Sequence, residues 1–185
     1  WEQSEREDVF LEWLQKQVLP HGIYPESVHS ASADASFRRY FRVLGQNGSF
    51  IVMDAPPDKE NCQPFVSIAA LFASAGLKVP TVLNWDSAHG FMLLSDLGAQ
   101  TMMQVLTSSA DVDAAALFNQ ATDALVMLQT FSKPGLLPAY DHALLSRELA
   151  LFPDWYVSQH KHCVLSTEQL HVLQQTFETL TKVNL

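Results

Sequence analysis

Three of the chain's five arginines, Arg38, Arg39 and Arg42, stand within five residues, directly after a run of small residues from Ala31 to Ser36. Small residues let backbone amides approach a ligand closely, and guanidinium groups beside them supply fixed positive charge. Together they suit an anion such as a phosphate. From Phe37 a period of two sets Phe37, Arg39, Phe41 and Val43 on one face of a strand, with Arg38, Tyr40, Arg42 and Leu44 on the other. Arg38 and Arg42 then either serve an anion or solvate the strand's outer face. Arg39 shares its face with apolar residues and requires a partner if that face is buried.

Other reactive groups form weaker patterns. Cys62 and Cys163 have neither Cys-x-x-Cys spacing nor close neighbours of their kind, so they read as packing residues. His160-Lys161-His162-Cys163 places its histidines two apart, on different sides of a helix, and reads as a solvated helix end rather than a metal site. No Gly-x-Ser-x-Gly, His-Glu-x-x-His or Gly-x-x-x-x-Gly-Lys pattern occurs, which removes the commonest hydrolase, zinc-protease and P-loop readings.

These residues need a scaffold, and 185 of them with 48% hydrophobic content can bury a real core. A net charge of −9 argues against nucleic acid as a partner. No apolar run has the length of a membrane helix, so a cytoplasmic protein is expected. The chain opens on Trp1 and stops on an apolar end, Val183-Asn184-Leu185, and is expected to be a piece of something longer whose exposed apolar surface self-associates.

In chain order, Val9, Phe10, Trp13, Leu14 and Val18 predict a helix ended by Pro20 and Gly22. A short apolar segment, Ile23 to Val28, leads to the arginine strand. The turn Gly45 to Gly48 returns it as Ser49 to Asp54, making a hairpin. Pro56 and Pro57 break the sheet, and a helix follows from between Asp58 and Pro64 to a C-terminal Gly76. Val79 to Trp85 and Gly90 to Ser95 are two further strands. After Gly98 everything has helical periodicity: to Leu106, Asp111 to Phe131, Asp141 toward His160, and Thr167 to Val183, the last opened by a Ser166–Gln169 capping box. The expected fold class is α+β, with an α/β lobe over residues 1–98 and a helical lobe over 99–185.

The order of elements, together with Ser32 to Val43, Phe50-Ile-Val-Met-Asp-Ala-Pro-Pro57, Glu60 to Phe65, Gly90-Phe-Met-Leu-Leu-Ser-Asp-Leu-Gly98 and Leu151-Phe-Pro-Asp-Trp-Tyr156, resembles the aminoglycoside phosphotransferase-like kinases, which share the protein-kinase small lobe, hinge and helical large lobe. Within them the chain is most similar to the bacterial branch that phosphorylates the anomeric hydroxyl of amino sugars, N-acetylmuramate and N-acetylglucosamine, in cell-wall recycling. The resemblance implies ATP and magnesium as cofactors. It makes Ser32, Asp34 and Ser36 the phosphate-covering loop, with Arg38 or Arg39 adding charge. It makes Ser95, Asp96 and Leu97 the hinge, whose backbone pairs with adenine between apolar walls from Leu94 and Val52. On the acceptor side it points to Glu148 and Trp155, a carboxylate and a ring face of the kind a pyranose binds.

Two departures accompany it. The third strand lacks the lysine that pairs with phosphates and with a helix glutamate in many such kinases; Met53 stands about there, an arginine of the preceding strand is expected to substitute, and Glu60 is expected to be a solvated residue of the helix's first turn. The family's His-x-Asp loop with its Asn, and the later metal-binding Asp, are absent, so the chain assigns no catalytic or metal-binding residue and is expected to be inactive alone. A nucleotide- or protein-binding module without catalysis is the alternative reading.

Overall fold

The computed structural model describes residues 4–33, 36–108 and 112–185. Helix α1 (Ser4–Lys16) and a single turn, α2 (Val18–His21), precede strands β1 (Ile23–Ala33), β2 (Arg39–Gly45) and β3 (Gly48–Asp54). Helix α3 (Gln63–Ser74), strands β4 (Val82–Asp86) and β5 (Phe91–Ser95), and helices α4 (Met102–Ser108) and α5 (Ala114–Phe131) follow. The sheet is antiparallel, in the order β1-β2-β3-β5-β4. The segment after Gly22, expected only to lead into the arginine strand, is itself a full edge strand of 11 residues.

Each face of the sheet has its own covering helix. On one, Phe10, Trp13 and Leu14 of α1 pack on Val43, Val52, Phe91 and Leu93, all buried. The spacing of those helix residues makes a narrow apolar stripe, while Val9, expected on it, stays partly exposed. Phe10 meets Phe91 edge-on at 5.4 Å and lies 5.3 Å from Phe41, arrangements that favour the rings' opposite edge and face charges. On the other face, Phe65 and Val66 of α3 cover Met53, Met92 and Leu94. Helix α3 ends in a Schellman motif: Leu77 N–H donates to Phe72 O at 3.1 Å and Gly76 N–H to Ala73 O at 3.0 Å, and Gly76 takes φ +83° where a side chain would strain.

The buried carboxylate of Asp54 ties α1 to the sheet. Arg6 Nε donates to Asp54 Oδ1 at 3.0 Å and Arg39 Nε to Oδ2 at 2.9 Å, with both Nη2 atoms reinforcing the pairs. Arg6 also donates to His89 O at 2.8 Å and lies over the Phe91 ring. Arg39 and Asp54 are direct cross-strand partners, so the partner Arg39 requires comes from the neighbouring strand.

The chain divides into two compact units, one running to Phe131 and the other Ser132–Leu185. The sheet itself ends at Ser95; α4 and α5 stay with the first unit. In the second unit, α6 (His142–Leu151), capped by Asp141, continues as a π-helix, Phe152–His160. Pro153 has no N–H for the α ladder, and the turn widens from there, with Lys161 N–H reaching Tyr156 O at 2.9 Å. Phe152 then stacks on Tyr156 with ring centres 5.6 Å apart, and His160 lies tilted at 5.6 Å from Tyr156. Helix α7 (Thr167–Asn184) opens on the Ser166–Gln169 capping box. Cys62 is buried, whereas Cys163, expected to pack, is exposed. Among the described residues no helix is long and apolar enough to cross a membrane.

Replacing Asp54 with Asn leaves two guanidinium groups facing a neutral amide in a buried position. The expected loss is about 3–5 kcal/mol of unfolding free energy, the range for breaking a buried pair by removing one partner. Urea denaturation at pH 7 measures it, and a loss below about 1 kcal/mol would contradict this role.

Candidate functional site

On the α3 face, the cross-strand register aligns Tyr40 with Met53, Arg42 with Ile51, and Ile51 with Leu94. Tyr40, Arg42, Ile51 and Leu94 floor a cleft of about 450 Å³ in the first unit. Phe65 and Pro80 add apolar wall, and the segment from Ser95 to Thr101 forms the rim. A slot with an apolar wall and a rim containing Ser95, Asp96, Gln100 and Thr101 suits a flat heterocycle with polar edges.

Leu94, Ser95, Asp96 and Leu97 all line this cleft. Val52 does not. Its side chain is fully buried on the opposite face against α1, and Ile51 takes the place expected of it. Parity along β3 dictates the exchange, because Ile51 pairs with Arg42, which the period of two had already put on the polar face. Ser95 is held sideways: its amide donates to Thr81 O at 3.0 Å and its Oγ accepts from Thr81 N–H at 2.8 Å.

The arginines divide among three carboxylates. Arg39 serves Asp54 on the α1 face, away from the cleft floor. Arg38 Nε donates to Glu60 Oε2 at 3.1 Å, and the same carboxylate accepts from Phe37 N–H at 3.1 Å. Glu60 is therefore not a solvated first-turn residue. It precedes α3, and its side chain is 13% exposed. Burial acts against the charge on Arg38, and the Tyr40 hydroxyl and Glu60 outweigh it, raising the guanidinium's pKa. Met53, at the expected lysine position, is fully buried. Arg38 N–H also donates to Ser36 Oγ at 3.2 Å, linking the pair to the small-residue loop. Asp34 lies outside the described residues, as does the side chain of Ser32.

Arg42 binds Asp96 through both Nε (2.6 Å) and Nη2 (3.0 Å). Ser49 Oγ donates to Asp96 at 2.6 Å and Gly98 N–H at 2.9 Å. Nothing in the spacing of single residues signals this cluster, whose members lie up to 56 positions apart.

Glu148 and Trp155 belong to the second unit. Glu148 accepts a hydrogen bond from the Tyr140 hydroxyl, which raises that phenol's pKa, and Trp155 is 66% exposed on the π-helix. Among the described residues no three His, Cys, Asp or Glu side chains converge as a metal site.

The Arg42 bonds hold the Asp96 carboxyl well below the usual carboxylate range; burial opposes them, and Ser49 and the Gly98 amide add to them. A depressed folded-state pKa gives stability that is complete above the unfolded value, near 4, and is lost as pH falls toward the folded value. The stability difference between the native sequence and Asp96→Asn should therefore be largest above about pH 5 and shrink toward about pH 2. Denaturant titrations across that range test it, and a pH-independent difference would contradict the assignment.

Comparison with known proteins gives this geometry a lineage. The chain is 51% identical over 146 residues to the N-acetylmuramate/N-acetylglucosamine kinase of Pseudomonas aeruginosa, covering 79% of this chain and 42% of that protein. It is 45% identical over 154 residues to the kinase of that name from Pseudomonas putida, covering 83% and 44%. Against the Neisseria meningitidis kinase of the same name it is 40% identical over 173 residues, covering 91% and 49%. The chain thus spans less than half the length of these curated relatives. The sequence profile of the phosphotransferase enzyme family matches residues 27–183, from the first strand through the last helix. The cleft, its rim and its carboxylate-held arginines stand inside that match, and the chain belongs to the phosphotransferase enzyme family.

Proposed function

We propose that the full-length gene product is a cytoplasmic, ATP-dependent kinase that phosphorylates the anomeric hydroxyl of N-acetylmuramate or N-acetylglucosamine, yielding a sugar 1-phosphate for cell-wall recycling. The observation that carries this reading is the 51% identity to a kinase named for both sugars. The cleft in the first unit supports it independently, having the apolar wall and partly polar rim that a nucleotide base requires.

In this reading the adenine lies between Leu94, Ile51 and Phe65, with its edge on the backbone from Asp96 to Leu97. Arg38, held by Glu60, takes the part of the missing lysine. Phosphoryl transfer needs positioning and charge neutralisation more than covalent chemistry, and an arginine with a fixed orientation supplies both. Ser32, Asp34 and Ser36 remain the proposed phosphate-covering loop. Arg39 lies with Asp54 on the α1 face and Arg42 is tied to Asp96 at the rim, whereas Arg38 is linked through Ser36 to the small-residue loop, which favours Arg38 as the phosphate contact. Magnesium would accompany the nucleotide's phosphates and neutralise their charge. Glu148 and Trp155 are the proposed sugar contacts, and no residue of this sequence is assigned the proton-accepting or metal-binding role.

The direct test incubates the full-length gene product with ATP, magnesium and each amino sugar and follows phosphorus NMR for an anomeric phosphate. Formation with either sugar is the expected result; ATP binding without transfer to any sugar would favour the non-catalytic binding module. For the nucleotide side, Arg38→Gln should weaken ATP binding by about tenfold or more, the worth of one charge-assisted contact, and Glu60→Gln by less. Calorimetric titration measures both, and unchanged affinity in Arg38→Gln would remove it from the phosphate site.

A further inference from the structure

Asp96 carries more hydrogen bonds than a residue just past the end of an interior strand needs for its own solvation. Its two oxygens accept from Arg42 Nε, Arg42 Nη2, Ser49 Oγ and the Gly98 amide, at 2.6, 3.0, 2.6 and 2.9 Å. A carboxylate has about four lone-pair directions, so this one is saturated. Arg42 Nη2 donates in addition to Gly98 O at 2.9 Å. The N–H and the C=O of Gly98 are thus both held by the same ion pair, on a backbone with φ +117°. The side chain is 6% exposed.

The location gives this saturation a use. Leu97, Ala99 and Gln100, on either side of the held glycine, line the cleft rim. Fixing both peptide groups of Gly98 fixes the planes of the peptides beside it, and with them the order in which donors and acceptors are offered to a ligand. Adenine presents an amino donor beside a ring-nitrogen acceptor. Guanine presents a carbonyl acceptor beside an N–H donor, so an edge that cannot turn over accepts one and leaves the other with unpaired groups.

We infer that the Asp96 side chain, through Arg42, Ser49 and Gly98, has a positioning role that sets base selectivity in the cleft without the carboxylate itself touching the nucleotide. The inference rests on the kinase reading above. It separates Asp96 from its neighbours on the rim: Leu97 acts by its backbone at the base, Asp96 by holding that backbone still.

The test uses the full-length gene product with ATP and GTP as alternative donors, and the variants Asp96→Asn, Arg42→Lys and Ser49→Ala. Asp96→Asn keeps the volume but loses the charge and part of the accepting capacity. It should raise KM for ATP about tenfold, leave kcat within about threefold, and lower the ATP-over-GTP preference in kcat/KM at least fivefold. Arg42→Lys, which keeps charge but cannot reach Asp96 and Gly98 together in the same way, should fall between it and the native protein. Hydrogen exchange at the amides of residues 97–99 should accelerate in both. An ATP preference that stays intact while both KM values rise together would make Asp96 a merely structural residue and overturn the inference; so would a fall in kcat with KM unchanged. If Asp96→Asn does not fold, Ser49→Ala, which deletes one bond of the cluster, decides the matter: a preference lowered about twofold supports it, an unchanged one overturns it. A native protein that uses neither nucleotide overturns the kinase reading itself, whereas one that uses ATP and keeps its preference in every variant overturns only the role of Asp96.

Discussion

A carboxylate with no solvent contact must be matched by positive charge, and at Asp54 that requirement organises the first unit. Arg6 brings α1 to it and Arg39 brings β2. Because side chains alternate along a strand, turning Arg39 toward Asp54 obliges Tyr40 and Arg42 to face the other way, onto the α3 side where the cleft forms. One buried pairing thereby decides which residues can meet a ligand. It also explains why the helix that begins the chain matters to a cleft it never touches.

The cluster of three arginines is not the open positive patch that their spacing suggests. Each guanidinium is held by its own carboxylate: Arg38 by Glu60, Arg39 by Asp54, Arg42 by Asp96. Their contribution to a ligand field is set by orientation more than by net charge. Charges paired in this way are costly to desolvate singly and cheap to keep together, so they define geometry better than they add stability. The three pairs perform three tasks in consequence, namely closing the core, linking the small-residue loop to the approach of α3, and fixing the rim.

Much of this fold is legible in sequence because it depends on local rules. The hairpin follows from the glycines at 45 and 48, the end of α3 from Gly76, the start of α7 from Ser166 and Gln169, and the two-faced β2 from simple alternation. Where the outcome depends on which distant segment a residue meets, those rules fall silent. Val52 and Ile51 are equally apolar, and only the pairing with Arg42 tells which one lines the cleft. Glu60 looks like any acidic residue before a helix until Arg38 arrives from 22 positions earlier. The same holds for Asp96, whose partners come from two other strands, and for the π-helix, where Pro153 signals an interruption but not the wider turn that resolves it.

The distribution of those carboxylates has an evolutionary consequence. Asp54, Glu60 and Asp96 lie in three separate segments, yet all answer to one stretch of five residues in β2 and its approach. An amino-acid exchange at Arg38 or Arg42 leaves an unmatched acid elsewhere, and one at Arg39 leaves Asp54 to Arg6 alone; the neighbouring arginines cannot absorb the loss because each already has a partner of its own. Lineages can cross such a position only by changing both members of a pair, so the strand should drift in coupled steps with three remote sites rather than residue by residue. A short stretch of chain thus sets the pace at which distant parts of the lobe are able to diverge.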